Sequence, residues 1–66
     1  MLKIDTKKLE VCQAKKGTST NQLIYKSGLT EKTIQNIKNG KPCRPTSVHK
    51  LAKALGVDVT ELLKGD

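Results

Sequence analysis

Residues 19–40, STNQLIYKSGLTEKTIQNIKNG, decide the fold. Ser19 can cap a helix N-terminus, and Gln22 three residues on completes a capping box that satisfies two amides with no partner inside the helix. Leu23 and Ile24 then face a core. Gly28 lacks a Cβ, so it can take the positive φ that turns the chain sharply out of this helix. Thr30 caps a second helix, which buries Ile34 and Ile37 after Leu29 and stops at Asn39-Gly40. Two short capped helices around the break Ser27-Gly28-Leu29 outline a helix-turn-helix.

Outward from this stretch, apolar residues recur at helical spacing, no segment alternates with period two, and Gly or Pro separates the periodic runs. The reading is all-α, a compact five-helix bundle in a single domain over residues 1–66 with its core at about 6–64. Helix 1 is expected from about Thr6 to Lys16, with Leu9 and Cys12 inward, Val11 a further candidate, and Gly17 as a left-handed stop. Cys12 reads as a buried thiol acting as a small hydrophobe. Helix 4, from about Thr46 to Leu55, turns Val48, Leu51, Ala52 and Leu55 inward and ends at Gly56. Helix 5 follows, with Asp58 and Glu61 at capping-box spacing and Val57, Val59, Leu62 and Leu63 as its apolar set.

The chain has 66 residues and a net charge of +7, and the placement of that charge says more than its total. Lys15, Lys16, Lys26, Lys32, Lys38, Lys41, Arg44 and Lys50 stand against Glu31 alone between positions 15 and 50, and the remaining residues sum to zero. A basic zone centred on one structural element is the footprint of a polyanionic partner. Tyr25 is the only aromatic residue. Modules that stack single-stranded bases need several aromatics, so duplex DNA is the better partner. The outward positions of the second helix carry side chains that reach guanine, adenine and phosphate oxygens. The loop Lys41-Pro42-Cys43-Arg44-Pro45 reads as a stiff cationic clamp on the DNA backbone.

In order and spacing, Gly17-Thr18-Ser19, Leu23, Gly28-Leu29-Thr30, Ile34, Ile37, Asn39-Gly40-Lys41, Pro45, the run from Leu51 to Val57, and Leu62-Leu63 resemble the phage-repressor (Cro/C1, or XRE) family of helix-turn-helix domains. The resemblance covers about Leu9 to Gly65. It implies a lambda-repressor-like DNA-binding domain that pairs as a homodimer on a palindromic operator, weakly in free solution; helix 5 with Leu62 and Leu63 is the expected pairing surface, the alternative being that both leucines are committed to the core. Carried over by position, base reading falls on Glu31, Lys32, Thr33, Gln35 and Asn36. Phosphate binding falls on Ser19, Thr20, Lys38, Asn39, Lys41 and Arg44.

Three departures from the family pattern stand out. Ile24 stands where a small residue is usual, which asks for a wider crossing of the two helices or a smaller neighbour. Gln13 and Lys38 stand where the family often pairs Arg with Glu; both changed together, so no buried charge is left alone, and the end of the second helix becomes more basic. Glu31 replaces a neutral or basic residue. It either accepts from a cytosine amino group or serves only the helix N-terminus.

The functional expectation is a sequence-specific transcriptional regulator, a repressor, in a reducing cytoplasm. An antitoxin-like module that binds both DNA and a partner protein is the alternative, and the extension that wraps a toxin is not seen here. No secreted disulfide pattern, signal segment or membrane span is expected. An enzyme is disfavoured, because His49 is the only histidine and has no acidic partner in sequence. Cys12, Cys43 and His49 lack the paired spacing of structural zinc, so no metal and no cofactor is assigned.

Overall fold

The chain's caps set its elements. The computed structural model describes residues 1–64 as four helices and one 3-10 turn: α1 (Thr6–Lys16), α2 (Thr20–Ser27), α3 (Glu31–Lys38), α4 (Pro45–Leu55) and the turn Val59–Glu61. Asp5 caps α1 by accepting from the amides of Lys7 and Lys8. Both arms of the Ser19–Gln22 capping box form at the start of α2, and Thr30 Oγ1 accepts from Thr33 N at the start of α3. Arg44 makes no side-chain cap for α4; Pro45 occupies the first turn instead, where its fixed φ suits the helix and its missing N–H is no loss.

The ends of α1 and α3 share a mechanism. After α1, Thr18 N donates to Gln13 O and Gly17 N to Ala14 O; the same paired bonds run from Lys41 and Gly40 to Asn36 and Ile37 after α3. This is the Schellman arrangement, which needs a left-handed residue at the stop. Gly40, at φ 84°, supplies it after α3.

α4 lies against α1, α2 and the 3-10 turn, while α2 packs on α3. Their inward faces meet in one cluster built on Leu9, Leu23, Ile34, Ile37, Val48, Leu51 and Leu62, all fully buried. Ile24 is half-buried at its margin, so part of its extra volume reaches solvent. Val11 is 46% exposed and faces away from the core, because Leu9 and Cys12 already define the inward stripe of α1.

Two features differ from the five-helix expectation. The fifth helix is a single 3-10 turn. Its Asp58–Glu61 capping box forms and Leu62 still has helical dihedrals, but around Leu63 the backbone pairs with the start of the chain. Asp5 N donates to Leu62 O at 2.8 Å and Lys64 N to Lys3 O at 3.2 Å. The second difference is the role of residues 1–5, which pair with the rest of the fold and bury Ile4 in its core. Leu2 and Cys43 exchange both backbone hydrogen bonds, at 2.8 and 2.7 Å, and Ile4 forms an antiparallel bridge with Leu63. The short extended segment thereby ties the α3–α4 loop to the last turn, with the Ile4 side chain only 4% exposed.

This packing has measurable consequences. A domain of this size is stabilised by only about 0.05–0.15 kcal/mol per residue. Ile4→Ala should therefore cost about 2–5 kcal/mol and shift the urea midpoint sharply down. Leu2→Ala, at a more exposed position, should move it much less, and equal small shifts would contradict the role given to Ile4. Asp58 carries a second expectation. The amide and hydroxyl of Thr60, at 3.0 and 3.1 Å, hold its carboxyl below the ordinary value. A carboxyl with a lowered folded-state pKa stabilises at neutral pH and loses that contribution as pH falls through about 4 and below. Asp58→Ala should melt below the wild type at pH 7, with the gap closing toward pH 3; a gap independent of pH would contradict it.

Candidate nucleic-acid interface

Successive residues of an α-helix are turned by about 100°. Ile34 and Ile37 therefore share one side of α3, and Glu31, Lys32, Gln35 and Asn36 share the opposite one. Burial follows this division: Ile34 and Ile37 are sealed in the core, whereas Glu31, Lys32 and Gln35 are exposed and Asn36 is half-buried. Two large apolar anchors thus fix the rotation of the helix, and its polar side stands in solvent as an unbroken strip.

Within the strip, Gln35 Nε2 donates to Glu31 Oε1 at 3.4 Å, one turn apart. Thr33 is half-buried, and its hydroxyl lies 2.9 Å from that of Thr30, against the N-cap. Lys32 projects without a hydrogen bond to the rest of the chain among the described residues. The five expected base-reading residues are therefore gathered on or beside one face, with Thr33 at its rim.

The expected phosphate-binding residues fall into two groups. Ser19 and Thr20 sit at the start of α2, where Ser19 Oγ accepts from Gln22 N at 3.2 Å and Gln22 Oε1 accepts from Ser19 N at 3.1 Å. The other group lies at and beyond the end of α3. Asn39, Lys41 and Arg44 are exposed. Lys41 is anchored through its amide, which donates to Asn36 O at 3.0 Å, and Arg44 follows the bridge between Leu2 and Cys43. Lys38 turns toward α1 instead of projecting freely: its Nζ donates to Gln13 Oε1 at 2.9 Å.

A cleft of about 300 Å³ between α3 and the first turn of α4 brings Thr33, Asn36 and Arg44 together, with Leu29, Pro42 and Ser47 among its other walls. Ser47 was not legible as a site residue, although its position in the first turn after Arg44-Pro45 was the available signal. Burial pushes the Cys43 thiol above its ordinary value, so the sulfur in this cleft is held as the neutral thiol.

Other chemistry has little to build on. His49 is exposed on α4, and Cys12 and Cys43 are separate buried thiols. Among the described residues no three His, Cys, Asp or Glu side chains converge as metal ligands. No helix among them is long and apolar enough to cross a membrane. Leu62 is completely buried and Leu63 half-buried, so Leu62 serves the core, the alternative open to it, and is not a free pairing surface.

No solved structure matches the chain. The family model described as a Cro/C1-type HTH DNA-binding domain matches residues 8–65, from within α1 through α2, α3, α4 and the 3-10 turn. The chain belongs to the Cro/C1-type helix-turn-helix DNA-binding domain family.

Proposed function

We propose that this chain is a single DNA-binding module, a sequence-specific transcriptional regulator of the repressor kind working in the cytoplasm, with α3 laid in the major groove. The observation that carries the reading is the division of α3. Ile34 and Ile37 fix its back in the core, and a continuous polar strip from Glu31 to Asn36 faces outward beside Lys41 and Arg44.

Lys32 and Asn36 are matched to base edges: Lys donates to the guanine O6 and N7, and Asn can both donate to and accept from adenine. Glu31, Thr33 and Gln35 supplement them, with Glu31 and Gln35 acting as a linked pair. Lys41, Arg44, Asn39 and Lys38 grip phosphates on one side of the strip. Ser19 and Thr20 do so at the start of α2, where backbone N–H groups remain free for an anion. Binding, not catalysis, is the whole activity, and it uses neither metal nor cofactor.

One such module covers about 600–1,000 Å² on DNA, which is small for a specific complex. Two copies on a two-fold site solve this, since symmetry doubles the contacts and fixes half-site spacing. Selection from random duplexes should yield a palindromic site. Sedimentation on that duplex should give two chains per site, and a tight one-to-one complex on a half-site would remove the dimer.

The roles of individual residues separate in the same assay. Asn36→Ala should cost about 1–3 kcal/mol on the selected duplex and flatten the preference at one base pair. Lys41→Ala should weaken binding to all duplexes alike and make the salt slope shallower by about 1. Both variants scaling every duplex equally would contradict the assignment.

A further inference from the structure

We propose that Gln13 is a positioning residue for DNA binding: it holds the Lys38 ammonium through an uncharged acceptor, so that the full positive charge of Lys38 stays available to a backbone phosphate. The inference rests on the DNA-binding reading above and adds a residue on α1, outside the recognition helix, to the machinery.

Gln13 lies in the second half of α1 and reaches two other elements. Its Oε1 accepts from Lys38 Nζ at 2.9 Å, joining α1 to the end of α3. Its Nε2 donates to Thr18 O at 3.3 Å, and its own carbonyl accepts from Thr18 N at 3.0 Å. Thr18 is buried and immediately precedes Ser19, the cap of α2. One amide side chain therefore fixes the end of α3 relative to the start of α2, the two places where phosphates are to be gripped.

The chemistry of the acceptor matters as much as its place. An ammonium has three donors, and this contact uses one of them. The amide oxygen lowers the cost of half-burying the lysine but leaves its charge uncancelled. A carboxylate in the same place would neutralise it, and a partly buried ion pair resists screening by salt. Lys38 would then have to break that pair before it could meet a phosphate.

Gln and Glu have nearly the same shape, so Gln13→Glu changes charge with little change in volume. The test measures affinity for the selected duplex across a salt series for wild type, Gln13→Glu, Lys38→Gln and the double variant, alongside thermal melts. Each single variant should make the plot of log affinity against log salt shallower by about 0.9, the loss of one neutralised phosphate. The double variant should lose no more than either single one. A purely structural Gln13 would move the melting temperature of Gln13→Glu and leave the wild-type slope, and that result overturns the proposal. Should Gln13→Glu fail to fold, Lys38→Gln still decides, because an unchanged slope there equally overturns it. A wild type that bound no duplex would instead bring down the DNA-binding reading itself, a result distinct from binding with unaltered slopes.

Discussion

Burial of Ile34 and Ile37 is the constraint from which the rest follows. Their side chains are sealed in the cluster that also holds Leu23, Leu51 and Leu62, and in a helix of eight residues two such anchors fix its rotation. The direction of every other α3 side chain is then fixed by helical geometry alone. A polar strip held this way is preorganised: little ordering is needed when it meets a rigid partner such as a duplex.

Charge and backbone pairing work together around that strip. The loop after α3 carries Lys41 and Arg44, and it is held at both ends. The amide of Lys41 is fixed to Asn36 O, and Cys43 is paired on both backbone groups with Leu2. Prolines at 42 and 45 stiffen what lies between. The cationic groups therefore stand on a braced segment, and Arg44 shares a cleft with the half-buried Asn36.

Local signals made most of the framework legible. Ser19, Gln22, Thr30 and the glycines at 17, 28, 40 and 56 each fix a boundary through chemistry confined to a few neighbouring residues, and all act as the sequence suggests. The inward faces of α3 and α4 were equally plain from their spacing. What escaped depends on contacts between residues far apart. Ile4 sits in a segment too short to show periodicity, and its burial depends on Cys43 and Leu63 across the chain. The Ile4–Leu63 pairing also stands where the helix that Asp58 and Glu61 start would have continued. Gln13 and Lys38 were recognisable as a changed pair, yet their hydrogen bond, with amide replacing charge on one side, required the folded geometry. The polar face of α3 was legible from its spacing; that Ser47 lines the cleft beside it was not, because its place in the first turn after Arg44-Pro45 is the only local signal and the rest depends on how α4 packs.

The central claim is that the outward strip of α3 reads base sequence while its neighbours hold the backbone. A heteronuclear NMR titration with the selected duplex and with a scrambled duplex of equal composition tests it most directly. The account predicts that the amides of Lys32, Gln35 and Asn36 move differently with the two duplexes, while those of Lys41 and Arg44 respond alike to both. Perturbations confined to α1 and the 3-10 turn, with α3 silent, would contradict it.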